Sequence, residues 1–351
     1  MDNIIYNDFS VLWVGYIFAN YRNSYPSQQY ILDNMYKIPS ILTADEIIDK
    51  AFKKAKKVQV VVKGKSKKDN KIAIAKVKAV KNTISSSLNR YVKSFPSFDT
   101  IPPFYYELFD ASIGVDALRK SLGALDWCRK TIENIADETV AKIRRSDNRE
   151  YIKAQRTCFF GRSSSVIKQI SKDLDFLNRA RRKLLSVPEI YPEKPTIVIA
   201  GAPNVGKSLL VTQISSAKPK IASYPFTTKG ISVGHFESEG IIYQVIDTPG
   251  LLDREMEKRN EMEQKAILAL RHLANIIVFV IDPSEYCGYT MDSQLRILSD
   301  IKTRFREISV IEVENKVDIV KLDTSRFKIS ALRGDGVMEL KDIVVSNLKG
   351  M

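Results

Sequence analysis

The sequence predicts an all-α helical bundle followed by a doubly wound, mostly parallel α/β domain. Three observations carry this reading. Between Met35 and Val187 the apolar residues recur at helical spacing. Pro188, Pro192 and Pro195 then punctuate the chain. Beyond them, short β-branched runs alternate with helical patterns. A length of 351 residues suits two domains that can each bury a core. The expected division is 35–190 for the bundle and 191–351 for the α/β domain, with residues 1–34 as an extension outside both.

The extension carries one apolar run, Phe9 to Ala19, which is 11 residues long and too short to cross a bilayer. Asp2 and Asp8 precede it without Lys or Arg, which is not the flank of a secretory signal. The favoured expectation is that the true start is Met35; a short docking element or an interfacial anchor are the alternatives.

In the bundle, Asp45 is expected to cap a helix bearing Ile47, Ile48, Ala51, Phe52 and Ala55. Ile72, Val77, Val80, Ile84, Leu88 and Tyr91 mark a second helix, ended by Pro96, Pro102 and Pro103. Val115, Leu118, Leu122, Leu125, Ile132, Ile135 and Ile143 form the clearest stripe. One long helix is expected from Asp147 to Leu185, with Ile152, Phe159, Val166, Ile170, Leu174 and Leu177 inward. Stripes of this kind bury against one another, which predicts antiparallel packing. Phe104, Tyr105, Tyr106 and Phe109 read as core rather than base-stacking residues.

Past Pro195, the buried strands are expected at Thr196–Ala200, Ile241–Ile246, Ile276–Ile281 and Ile308–Val313. Glu312 is out of place in the last run, so it should lie at the strand end or be paired.

Charge is unevenly spread. The chain holds 55 Lys and Arg against 41 Asp and Glu, a net +14. The excess lies between residues 35 and 190, whereas 191–351 balances 21 basic against 21 acidic residues. A basic half on a neutral half points to polyanion contact, with a solvated lysine face as the plainer reading. Membrane docking is disfavoured, because no strong apolar face accompanies the lysines. Three scattered cysteines exclude a disulfide framework and an all-cysteine zinc site, and two histidines disfavour a histidine-rich metal site. The composition reads as cytoplasmic.

Chemistry concentrates in the second half. Gly201-Ala202-Pro203-Asn204-Val205-Gly206-Lys207-Ser208 joins the first expected strand to the helix start Leu209-Leu210-Val211. That strand–loop–helix context is what a phosphate loop needs. The backbone from Gly201 through Asn204, Val205 and Gly206 to Leu209 would converge on phosphate oxygens at a helix N-terminus. Lys207 would reach the β- and γ-phosphates, and the Ser208 hydroxyl would bind Mg²⁺. Asp247-Thr248-Pro249-Gly250 ends another strand, so Asp247 can hold Mg²⁺ through water and the Gly250 N–H can sense the γ-phosphate. Asn315-Lys316-Val317-Asp318 follows the last strand; the Asp318 carboxylate suits the N1–H and N2–H donors of guanine, which adenine lacks. Ser330-Ala331-Leu332 can offer a backbone N–H to guanine O6. Four elements in this order predict a GTP site. Between the first and second lies Tyr224-Pro225-Phe226-Thr227-Thr228, where Thr228 would close over Mg²⁺ and the γ-phosphate. Lys207, Thr228 and Gly250 are the expected catalytic set.

These elements resemble the Obg-related branch of GTPases. Asp282-Pro283-Ser284-Glu285-Tyr286-Cys287-Gly288-Tyr289, with Arg259 to Glu263 and Ile101 to Tyr105, is narrower and resembles the Nog-type nucleolar GTP-binding proteins. The similarity runs from Met35 onward. It implies a P-loop GTPase domain behind a helical domain that contacts ribosomal RNA, in the short form of archaeal members. The implied role is assembly of the large ribosomal subunit, with GTP and GDP as ligands and the rRNA or pre-ribosomal particle as partner. A monomer is favoured. Leu251 stands where Ras-like enzymes have a water-orienting glutamine, so intrinsic hydrolysis should be slow. Asn204 matches an asparagine ligand of K⁺-activated relatives, which implies K⁺ beside Mg²⁺; its alternative role is shaping the loop. Two other functions stay open: an RNA-binding scaffold that holds GTP with little turnover, and a GTPase acting on tRNA or a membrane surface.

Overall fold

The computed structural model describes residues 37–60, 68–186, 190–222, 224, 230–254, 259 and 261–349. Six helices come first: α1 (Ala44–Lys56), α2 (Lys68–Ser94), α3 (Pro103–Ile113), α4 (Val115–Arg144), α5 (Arg149–Gln169) and α6 (Ser171–Leu185). The chain divides into two compact units, one from Asp33–Ser97 with Ile113–Leu185, the other from Phe98–Ser112 with Ser186–Met351. The segment Phe98–Ser112, which carries most of α3, therefore groups with the α/β unit.

In the helical unit the expected stripes face inward: Val77, Val80, Ile84, Leu88 and Tyr91 on α2, and Val115, Leu118, Leu125, Ile132, Ile135 and Ile143 on α4, are buried. Ala73 rather than Ile72 starts the α2 stripe, and Leu122 is only half-buried. Two boundaries differ from expectation. Thr43, not Asp45, caps α1: its extended backbone (φ −66°, ψ 164°) lets Oγ1 accept the Glu46 N–H while Glu46 Oε2 accepts the Thr43 N–H at 2.8 Å. This capping box leaves Asp45 in the first turn, where a carboxylate still complements the helix dipole. The long helix expected over Asp147–Leu185 breaks at Ile170, whose ψ of 13° leaves the helical region. Neither Pro nor Gly marks the break. Ile170 is buried, and the Ser171 hydroxyl donates to the Lys168 carbonyl at 2.7 Å. Asn70, itself buried, donates to the carbonyls of Ile143 and Ser146 at 2.9 and 2.7 Å and so closes the end of α4.

The α/β unit runs β1 (Thr196–Ala200), α7 (Lys207–Ile214), β2 (Lys220–Ala222), β3 (Ile231–Ser238), β4 (Ile241–Asp247), α8 (Glu261–Ala269), β5 (Ile276–Ile281), α9 (Met291–Arg304), β6 (Ser309–Glu314), β7 (Phe327–Lys328) and α10 (Val337–Lys349). The sheet order is β2-β3-β4-β1-β5-β6-β7. Pairs from β4 through β7 are parallel, while β3 runs antiparallel to β4 and β2 antiparallel to β3. All four expected strands form, and β2, β3 and β7 are additional. Gly234 shows why β3 is hard to read: a Cβ there would collide with Ser215 Oγ at the end of α7, so the β-branched pattern, though not the strand, is broken by a glycine that the close approach requires. Glu312 is mid-strand and paired, accepting from Lys302 at 2.6 Å and Arg326 at 2.7 Å. Phe104, Tyr105 and Phe109 of α3 are fully buried and Tyr106 half-buried, and Tyr105 donates its hydroxyl to the Ile190 carbonyl at 2.6 Å. No helix among the described residues is long and apolar enough to cross a membrane. With β1 between β4 and β5, the strand order reverses at β1, so a crevice opens beyond its carboxyl end.

Candidate nucleotide site

The loop after β1 fills that crevice. Gly201 has φ +134°, and a Cβ there would lie 2.3 Å from the Val280 carbonyl oxygen of β5. Gly206 has φ +103°, and its Cβ would lie 2.3 Å from Asn315 Nδ2. Both positions thus need glycine for space as well as for backbone angle. Asn204 is left-handed too (φ 60°) and exposed, whereas Val205 is buried. Lys207 folds back, donating to the carbonyls of Gly201 at 2.9 Å and Ala202 at 2.7 Å. Burial pulls its pKa down, opposed by the charges of Asp247 and Asp253.

Asp247 ends β4 beside β1 and is fully buried. Its Oδ2 accepts the Ser208 hydroxyl, while Oδ1 has no partner. Burial raises its pKa against that hydrogen bond and the Lys207 charge. A buried carboxylate oxygen with no partner beside a hydroxyl is an oxygen donor set that fits Mg²⁺. The Gly250 N–H donates to Asp253 Oδ2 at 2.9 Å, and Leu251 is buried.

The base end is built on β6 and β7. Asn315 donates Nδ2 to the Val205 carbonyl and accepts the Ala331 N–H on Oδ1, both at 2.8 Å. The Ala331 N–H therefore serves the loop itself. Asp318 Oδ1 accepts the Ser330 hydroxyl at 2.6 Å, a bond that holds its carboxyl below the usual range. Leu332 is 73% exposed and Leu209 39%, so neither side chain is part of the core. Lys316, left-handed at φ 62°, donates to Asp282 Oδ2 at 2.6 Å. Burial alone would raise the Asp282 pKa, but Lys316 and Ser284 outweigh it and the net shift is downward. The fold thus gathers Gly201 to Leu209, Asp247, Gly250, Asn315 to Asp318 and Ser330 to Leu332 along one edge of the sheet. Thr228 and Thr227 lie outside the described residues.

Asp253, Asp282 and Gln294 were not read as site residues, nor was Arg259. Gln294 accepts the Asp282 N–H at 2.8 Å and donates to the Asp282 and Tyr289 carbonyls at 3.0 Å. Within Asp282 to Tyr289 the sequence carried a family signature, yet only the folded loop reveals that its carboxylate steers a lysine 34 positions away.

A strand–loop–helix phosphate motif at the sheet's reversal point, with an Asn-Lys-Val-Asp loop after β6, defines a P-loop domain of the GTPase class. The comparisons narrow this. The NOG1 N-terminal helical domain model matches residues 35–190, and the nucleolar GTP-binding protein 1 model matches 261–318. An uncharacterized protein of Methanocaldococcus jannaschii is 38% identical over 83% of this chain and 82% of its own. The Drosophila melanogaster nucleolar GTP-binding protein 1 is 33% identical over 82% of this chain and 45% of its own, so the chain spans about half the length of that relative. A Plasmodium falciparum crystal structure bearing the same nucleolar name is 36% identical, covering 46% of this chain and 90% of its own, with a TM-score of 0.41. The chain belongs to the Nog-type nucleolar GTP-binding protein family.

Proposed function

We propose that this protein binds GTP and hydrolyses it to GDP and phosphate, and that nucleotide state controls its docking on the large ribosomal subunit precursor in the cytoplasm. One observation carries the reading: Asn315 joins the loop that would recognise guanine to the loop that would hold phosphate, at 2.8 Å. A nucleotide spanning that bridge meets Asp318 at its base and Lys207 at its phosphates. Ser208 and Asp247 would hold Mg²⁺, with Thr228 added from the preceding loop; when bound, the ion neutralises phosphate charge.

Leu251 is buried and cannot hydrogen-bond a water, which supports slow intrinsic hydrolysis. Water positioning then comes from K⁺ at Asn204 and from the particle itself. On the helical unit, exposed Lys53, Lys54, Lys56, Lys57 and Lys68 supply phosphate contacts for structured rRNA. Lys50, Lys53, Lys54 and Lys57 share one open depression with Glu46 and Asp49. Lys65 and Lys67 belong to the same cluster in sequence but lie outside the described residues.

The deciding experiment is calorimetry with GTP and ATP in Mg²⁺. A strong guanine preference is expected, and equal binding overturns the reading. Hydrolysis should be faster in K⁺ than in Na⁺; equal rates remove the cation from the proposal. Binding to large-subunit precursors should weaken steeply with salt. Leu251 also favours a second reading, an RNA-binding scaffold that holds GTP with little turnover. Single-turnover hydrolysis with and without precursor particles separates the two.

A further inference from the structure

Gly250 is held on both sides of its backbone by one ion pair. Its N–H donates to Asp253 Oδ2 at 2.9 Å, and its carbonyl accepts from Arg259 Nη1 at 2.7 Å. Arg259 Nη2 closes the triangle on Asp253 Oδ1 at 3.1 Å. The arginine side chain is 1% exposed and its Nε has no hydrogen-bond partner, so the pair is a buried device rather than a surface contact. The same segment is tied to the phosphate loop, because the Gly201 N–H donates to the Leu252 carbonyl at 3.1 Å. The Asp253 charge is felt by both Lys207 and Asp247. A carboxylate thus sits on the N–H that a γ-phosphate would use, within the field of the cation that a γ-phosphate would neutralise.

We propose that Asp253 is a built-in competitor of the γ-phosphate for the Gly250 N–H, and that Arg259 positions it there. The inference rests on the GTP reading above. A triphosphate is set to displace Asp253, since a second anion at the same donor meets like-charge repulsion from the carboxylate. A diphosphate ends short of Gly250 and leaves the triangle closed. The pair therefore biases the resting protein toward GDP, and ligands can shift such an equilibrium only by their differential affinity for the two arrangements. Asp253 and Arg259 are specificity-determining residues that act through Gly250.

The test compares GDP with a non-hydrolysable GTP analogue by calorimetry in the full chain, wild type against Asp253→Asn. Asparagine keeps the shape and a hydrogen bond to Gly250, yet removes the charge that opposes phosphate. Affinity for the analogue should rise on the order of tenfold with GDP affinity unchanged. Asp253→Ala should move the ratio in the same direction. Parallel changes in both affinities, or none, with a cooperative thermal transition retained, assign the triangle a structural role and overturn the inference. Failure of the wild type to bind either nucleotide would instead remove the GTP reading itself, so the two failures are distinct.

Discussion

Asn315 Nδ2 and the Val205 carbonyl are 2.8 Å apart across 110 positions of sequence. The same amide accepts the Ala331 N–H, so one short side chain joins three loops. Because the group is buried, its loss strands two backbone partners.

Asn315→Ala is accordingly expected to cost about 1–3 kcal/mol of stability. It should also weaken guanine nucleotide binding far more than that loss implies, because both ends of the site lose their register. Chemical denaturation and calorimetry on one sample check this. Intact binding would show that the bridge is not needed.

Asp247 gives a prediction of opposite sign. Its folded pKa lies above the unfolded value, so the metal-free folded state holds the proton more tightly. The associated stability is fully present below the unfolded carboxylate value and is lost as pH rises through the folded one. Asp247→Asn should therefore raise the melting temperature of metal-free protein at neutral pH. If Asp247 holds Mg²⁺ as proposed, the variant should also bind nucleotide equally with and without that ion. A variant that melts lower at neutral pH contradicts the burial argument.

Asp282 behaves the other way. Its pKa is lowered overall, with Lys316 and Ser284 outweighing burial, so its stabilisation is present above the unfolded carboxylate value and lost as pH falls through the folded one. Asp282→Asn should cost about 2 kcal/mol at neutral pH and flatten the acid limb of the stability curve. Lys316 loses its anchor in that variant, so guanine over adenine selectivity should fall as well. Selectivity unchanged in a folded variant would limit Asp282 to stability.

The cysteines should differ in reactivity. Burial pushes the Cys128 thiol up to about 12, and Cys287 is also buried with a raised pKa. Cys158 is exposed. Iodoacetamide on the native chain should modify Cys158 alone within minutes, as read by peptide mass, and all three after unfolding.

Local chemistry made the phosphate loop, the Asp247 turn and the four β-branched strands legible, since each needs residue types that few other contexts demand. The same holds for the helical stripes, where Val77 to Tyr91 and Val115 to Ile143 repeat over several turns. What stayed hidden depends on partners distant in sequence. Gly234 is unremarkable until Ser215 lies against it, and β7 is two residues that pair only because β6 is already in place. Ile170 breaks a helix with no breaker residue, and Thr43 caps α1 two positions earlier than the more acidic candidate. Asp253 and Arg259 are ordinary loop residues until both meet Gly250.

The order of strands has a consequence for how the folded chain behaves in a crowded solution. Its two border strands, β2 and β7, count three and two residues, and they cover only Ile231 to Val233 of β3 and Val313 to Glu314 of β6. A foreign strand approaching either border meets Lys220 at one and Lys328 at the other, while Gly234 to Ser238 of β3 and Ser309 to Glu312 of β6 lie beyond the reach of the border strands. Short margins bearing a lysine resist edge-to-edge aggregation, so any self-association of the sheet is confined to the stretches of β3 and β6 that the margins leave uncovered.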